Sequence, residues 1–339
     1  MKEADWMFSG IPGNDTQKRN GHRTRGLARS LTGLFVVLVL LAGIVEAVLR
    51  FGLGLGNPVL ITRDAACAYI LKPDQDVTRF FVRTHINHYG MRSDEVPAVR
   101  KAGALRLLFV GDSITYGTTR VDQTQIFTEI LHSDLPAIVH RPVEVLNASA
   151  GAWAPDNELA FLRSRGIFQS NIVLLVLNDG DLTQPEATIE EVGDDLPQQR
   201  PATAIGELYT RYIRLRVSHF LRRGDAGDSI TTNAHLITKK NLTDLDSIDD
   251  LVRDQGARLV IVYIPFRRDI PELSRTSEAT LKTWSDAHGV SMFDLTATET
   301  PYSSREITLD NGIHFNAKGH RIIADGIEHS WLAMVRNDK

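Results

Sequence analysis

The sequence predicts an α/β protein with a mostly parallel, five-stranded sheet. Five short runs rich in Leu and β-branched residues lie near 105–110, 143–147, 172–177, 258–264 and 291–294, each bounded by polar or glycine residues. Helical patterns fall near 123–133, 156–165, 245–256, 271–288 and 317–335. Strands that alternate with helices imply a sheet covered on both faces. No repeat appears at the periods of solenoid proteins.

Composition sets outer limits. The chain has 339 residues, 42% hydrophobic and 24% charged, enough for one large α/β domain or two modest ones. A formal net charge of -4 gives no global basic field, so nucleic acid is not an expected partner. Cys67 is the sole cysteine, which excludes an intrachain disulfide and Cys-based zinc clusters.

In chain order, residues 1–30 are polar and carry Lys18, Arg19, Arg23, Arg25 and Arg29, the pattern of a cytoplasmic basic tail. Residues 31–50 are apolar apart from Thr32, Glu46 and Arg50, and approach the ~20 residues that cross a bilayer. A buried soluble helix or a cleaved signal peptide would also be apolar. The long basic segment before the run favours an uncleaved signal-anchor, with the positive side cytoplasmic and everything after Arg50 outside. Residues 51–103 form a connecting arm, and 104–339 hold the βα alternation. That rhythm breaks at 180–240, where an acidic, Pro-containing stretch precedes an amphipathic basic helix at 205–223. This insertion is expected over the carboxyl edge of the sheet, as a surface hairpin, a lid or a membrane-surface helix.

Four stretches fall just beyond a strand of such a sheet or at the start of the last helix, and in this fold class those ends converge on one crevice. The first is Gly111-Asp112-Ser113, which delivers a serine to a strand-to-helix turn. Free backbone N–H groups there can stabilise an oxyanion. The second is Asn147-Ala148-Ser149-Ala150-Gly151, where Gly151 can present an N–H with no Cβ in the way. The third is Asn178-Asp179, whose Asn offers an uncharged N–H donor. The fourth is Asp310-Asn311-Gly312-Ile313-His314, where His314 suits proton abstraction and a nearby carboxylate suits holding its tautomer. His320 reads as structural, and a metal site of His314, His320 and Asp310 has no usual ligand spacing.

Taken in this order, Gly-Asp-Ser-x-Thr-x-Gly, a glycine loop, Asn-Asp after a strand and a C-terminal Asp/Asn-rich loop with His resemble the SGNH (GDSL-type) hydrolase superfamily over roughly 104–335. Asn87-x-x-Gly90-x-Arg92 and the single N-terminal span resemble its membrane-anchored bacterial branch. The resemblance implies a three-layer α/β/α sandwich similar to flavodoxin. It implies Ser113 as nucleophile and His314 as base. It places the Ser113 N–H, the Gly151 N–H and the Asn178 side chain in the oxyanion hole. No metal or organic cofactor is implied. The family usually has Asp three residues before its His, and here that position is Asn311. Asp310, four before, would orient His314; a Ser-His dyad or a backbone carbonyl against the imidazole are the alternatives.

The expected activity is that of a serine esterase acting on an O-acyl, first O-acetyl, ester of a cell-envelope glycan or lipid. The expected location is single-pass in the cell inner membrane through residues 31–50, with the catalytic domain periplasmic. An O-acetyltransferase using the same site is the nearest rival. A non-catalytic carbohydrate-binding envelope protein is the rival from another class. No obligate protein partner is evident.

Overall fold

The computed structural model describes residues 15–189, 197–214, 234–266, 271–309 and 312–337. Five strands form one wholly parallel sheet: β5 (Leu105–Gly111), β6 (Val143–Ser149), β7 (Ile172–Leu177), β8 (Arg258–Tyr263) and β9 (Ser291–Asp294). Their spatial order is β6-β5-β7-β8-β9. Renumbered within the sheet this is 2-1-3-4-5, the flavodoxin-like order, whose switch point lies between β5 and β7.

Every residue of β5, β6 and β7 is buried, because helices cover both faces. Alternate side chains feed two cores. Leu108, Val110, Val173, Leu175 and Ile261 point to one side, with Leu159 and Phe161 of α4 (Pro155–Arg165), Leu245 and Ile248 of α6 (Ala234–Asp254), and Leu281 of α7 (Pro271–His288). Leu107, Phe109, Leu174, Val176 and Val262 point to the other, with Leu131 and Leu135 of α3 (Phe127–Val139) and Ile323 and Ile327 of α8 (Ala317–Asn337). The result is a three-layer α/β/α sandwich.

Two helix starts differ from the sequence expectation. The helix expected from 123 begins at Phe127, after a separate turn Gln123–Gln125. Its first N–H, on Phe127, donates to His320 Nδ1 at 3.3 Å, so an acceptor 193 residues away helps to set the start. The helix expected from 245 begins at Ala234, and its added turns carry Asn241. Asn241 Nδ2 donates to the carbonyls of Asp181 and Gln184, at 2.7 and 2.9 Å. Tertiary partners extend that polar stretch.

Before the sheet, α1 (Asp15–Ala47) continues as a wider helical turn, Val48–Gly52. Within it Arg29–Gly52 is long and apolar enough to cross a membrane, and none of its most apolar window is buried. Two antiparallel hairpins follow, β1 (Ile61–Asp64) with β2 (Ala68–Leu71) and β3 (Gln75–Arg79) with β4 (Val82–Ile86). The part of 180–240 described between Pro197 and Arg214 includes α5 (Ala204–Glu207) and packs on this region. Glu46 accepts from the N–H groups of Ala204 (2.8 Å) and Ile205 (3.0 Å). Buried Glu207 pairs with Arg79 at 2.6 Å. Residues 215–233, most of the second half of the expected basic helix, lie outside the described residues.

Candidate active site

Strand register brings three of the expected residues to one rim. Gly111 of β5 lies beside Ser149 of β6, so Ser113 and Gly151 each stand two residues past a paired position. Val110 lies beside Leu175 of β7, so Ser113 and Asn178 each stand three past. This is the switch point of the sheet, where crevices form.

Ser113 opens α2 (Ser113–Tyr116), a single helical turn capped by Asp112, whose Oδ1 accepts from the Ile114 N–H at 2.8 Å. Glycine is required on both sides of this turn. A Cβ on Gly111 would stand 2.2 Å from Thr115 Oγ1. Gly117 ends the turn at φ 77° and lies against His320. Asn147 of β6 locks the turn from beside it, donating to the Thr115 carbonyl (2.8 Å) and to Thr128 Oγ1 (3.0 Å).

His314 arrives from the other end of the chain. Its loop is closed by the Leu309 N–H on the His314 carbonyl (2.8 Å) and by a bridge between Thr308 and Phe315. Asn316 fixes the loop to α8, donating to the Glu306 carbonyl (3.0 Å) and accepting from the Gly319 N–H (3.0 Å). His314 Nε2 then stands 3.1 Å from Ser113 Oγ, within the reach a proton transfer needs. Asp310 and Asn311 lie outside the described residues.

Asn178 is held on three sides. Its Nδ2 donates to Asp112 Oδ2 (3.1 Å), its N–H to Asp181 Oδ2 (2.7 Å), and its Oδ1 accepts from the Gly180 N–H (2.8 Å). An amide nitrogen carries two hydrogens. One bond to Asp112 therefore fixes the side chain and leaves donor capacity for a substrate oxygen. Gly151 is held through its carbonyl, which accepts from Tyr69 OH at 2.5 Å. Neighbouring Asp179 serves structure: it accepts from Tyr263 OH and from the Phe266 N–H (2.8 Å), tying the end of β7 to the end of β8.

The sequence reading missed the carboxyls behind this rim. Burial raises Asp112 to about 6. Glu158 and Asp181 are raised further, by burial first and then by the Asp112 charge. Both Glu158 oxygens and Asp181 Oδ1 have no hydrogen-bond partner among the described residues. The proximity of Asp181 to Asn178 is visible in Asn178-Asp179-Gly180-Asp181; nothing local marks Glu158, a polar residue on the apolar face of α4. Such carboxyls hold protons that an unfolded chain releases near pH ~4. The folded state thus binds more protons as pH rises above that value, and stability falls through the folded-state titration. Glu158→Gln removes one titration at nearly constant shape. Urea unfolding should show the wild type losing more stability than this variant between pH 5 and pH 8.

The remaining titratable candidates are inert. Burial, then the nearby Arg92 charge, lowers His320 to about 3, so the ring is neutral. Burial raises the Cys67 thiol to about 12. Among the described residues no group of three or more His, Cys, Asp or Glu side chains is arranged to hold a metal ion.

No protein-family model and no curated protein matches the chain. Solved structures similar to it include LAE5, an alpha/beta hydrolase enzyme from the metagenome of Lake Arreo, Spain, at 13% identity and a TM-score of 0.44, covering 69% of this chain and 96% of that one. Axe2, an acetylxylan esterase from Geobacillus stearothermophilus, is similar at 14% identity and a TM-score of 0.45, covering 68% and 96%. The esterase EstA from a Pseudoalteromonas species is similar at 13% and 0.42, covering 68% and 98%. What the chain can do chemically is decided by its own side chains.

Proposed function

We propose that the chain is a serine esterase, and the observation that carries this is the 3.1 Å approach of His314 Nε2 to Ser113 Oγ at the sheet's switch point. His314 takes the Ser113 proton as Oγ attacks the ester carbonyl. The Ser113 N–H, the Gly151 N–H and the Asn178 amide hold the tetrahedral oxyanion. Collapse expels the alcohol, which receives the proton from His314, and leaves an acyl-serine. Water, deprotonated by His314, attacks that ester and releases the acid, restoring the serine. Asp310 is the proposed carboxylate that orients the imidazole.

The proposed substrate is an O-acyl, first an O-acetyl, ester of a cell-envelope glycan or lipid. The support is the apolar helix Arg29–Gly52, preceded by basic residues and followed by the site-bearing domain. In this reading the chain is a single-pass protein of the cell inner membrane and the domain works on its periplasmic side. A fluorophosphonate probe should label wild-type protein and fail to label Ser113→Ala; labelling of both overturns the nucleophile. Incubation with acetylated glycan should release acetate. Recovery of the acetyl group on an added glycan acceptor would instead identify a transferase.

A further inference from the structure

The 204–214 segment turns its apolar side outward. α5 (Ala204–Glu207) continues as a wider helical turn, Leu208–Arg214. Ala204 and Glu207 are buried and Leu208 and Arg211 half-buried, whereas Ile205, Tyr209, Tyr212 and Ile213 are exposed. The exposed four fall at helical spacing, so they share one side. The inner side holds charge instead, with Glu207 2.6 Å from Arg79 and 3.5 Å from Arg211. A surface helix in water buries its apolar stripe and exposes its polar one, so this segment is built for a different surrounding.

The hairpin of β3 and β4 adds aromatic side chains at the same place. Its two-residue tip is Phe80-Phe81, with φ of 48° and 66°. A tip with two positive φ values ordinarily takes Asn-Gly, and bulky residues there are strained. Phe80 meets the Tyr212 ring edge-on, with centroids 6.0 Å apart. Phe81 is 84% exposed, so the fold itself gains little from the strain it carries. The apolar helix names the missing surrounding. It ends at Gly52, and one residue later the Leu53 carbonyl accepts from the Phe80 N–H at 2.9 Å. Gly54 lies so close to the hairpin that a Cβ there would overlap the Thr78 carbonyl. Glu46 and Arg50, in the last turns of the helix, bond to the backbone of Ala202, Ala204 and Ile205. Hairpin and segment are thus both fastened to the point where the helix would leave a bilayer.

We propose that Phe80, Phe81, Ile205, Tyr209, Tyr212 and Ile213 form a docking surface that sits in the headgroup layer of the bilayer crossed by the apolar helix. The proposal rests on the anchoring reading above. Aromatic rings at the end of a span, and a helix whose apolar side faces out, are the features of a membrane–water interface. The surface is also tied to the site. On β4 the Arg83 N–H donates to Asp122 Oδ2 (2.9 Å) and the His85 N–H to Gln123 Oε1 (3.1 Å), in the stretch that follows the Ser113 turn. Docking therefore sets the height of the catalytic rim over the lipid.

The test uses the full-length protein, one chain per phosphatidylcholine nanodisc, with nitrobenzoxadiazole attached to a single introduced cysteine; buried Cys67 stays unlabelled. Emission from Phe81→Cys and from Tyr209→Cys should fall when the lipid carries a spin label near its headgroup. Emission from Arg141→Cys, exposed at the amino edge of the sheet, should not. Adding Phe81→Asp should relieve the quenching at position 209. Equal quenching at 81, 209 and 141 overturns a defined surface, and unchanged quenching at 209 beside Phe81→Asp overturns the hairpin as part of it. Quenching that appears only in discs holding two chains assigns the surface to a second copy and overturns the bilayer as its partner. Leu40→Cys, in the middle of the apolar helix, separates the two readings with lipid spin-labelled deep in its acyl chain. No quenching at position 40 overturns the anchoring, whereas quenching at 40 with none at 81 and 209 overturns the docking surface alone.

Discussion

Ser113→Ala should lower the turnover of a short-chain ester by about 10⁴-fold or more, and His314→Ala should do the same. The double variant should be no worse than either alone, because Oγ and Nε2, 3.1 Å apart, act as one proton-transfer unit. Neither substitution disturbs the core. Ser113 and His314 are half-buried, and their hydroxyl-to-imidazole contact joins two loops that are separately closed, one by the Asp112 cap and one by the Thr308–Phe315 bridge. Their melting temperatures should stay within a degree or two of wild type. Asn178→Ala should cost less, on the order of 100 to 1000-fold, since under the proposed mechanism it removes one oxyanion donor and leaves the nucleophile in place. The measurement is hydrolysis of p-nitrophenyl acetate by purified full-length variants. Full activity in Ser113→Ala would overturn the mechanism. Losses that multiply in the double variant would show that the two residues act in separate steps.

The sheet was legible because a strand buried on both faces leaves an unbroken apolar run. Ile172–Leu177 and Ser291–Asp294 have the expected bounds, and Leu105–Gly111 and Val143–Ser149 run only one or two residues longer. The site loops were legible for a related reason. Gly111, Gly117 and Asn178 answer local demands, close backbone approach, a positive φ and a neutral donor, which few residue types meet. What escaped were side chains whose partners are distant in sequence. The start of α3 at Phe127 has His320 as acceptor, and the Glu158 carboxyl is raised by its burial and then by the charge of Asp112, 46 residues before it. Between 204 and 214 the insertion is likewise held by partners distant in sequence, Glu46 of the apolar helix and Arg79 of the arm.

Arg92 is the residue on which the largest loss of stability should fall. In the sequence it belongs to Asn87-x-x-Gly90-x-Arg92 of the connecting arm. The structure buries it completely. Its guanidinium donates to the carbonyls of Tyr116 (2.7 Å), Thr118 and Val121 (2.7 Å) and to Gln123 Oε1 (3.1 Å), and it lies over the Tyr116 ring at 5.2 Å. Those acceptors span the turn just after Ser113. The charge is retained there against its burial, which works to lower its pKa. Arg92→Met would leave four acceptors unanswered in the interior, a cost of about 3–5 kcal/mol by the measure of broken buried charge networks. For a domain of this size that is a fall in Tm of roughly 10 °C or more. Arg92→Lys should recover only part of it, because an ammonium cannot span the planar fork that reaches Tyr116, Val121 and Gln123 together. A packing role alone would end at stability. A clamp on the turn carrying Ser113 should also lower kcat in the molecules that remain folded, with KM little changed, and kinetics below the melting transition would read that difference. Wild-type kcat in folded Arg92→Lys would confine the residue to packing.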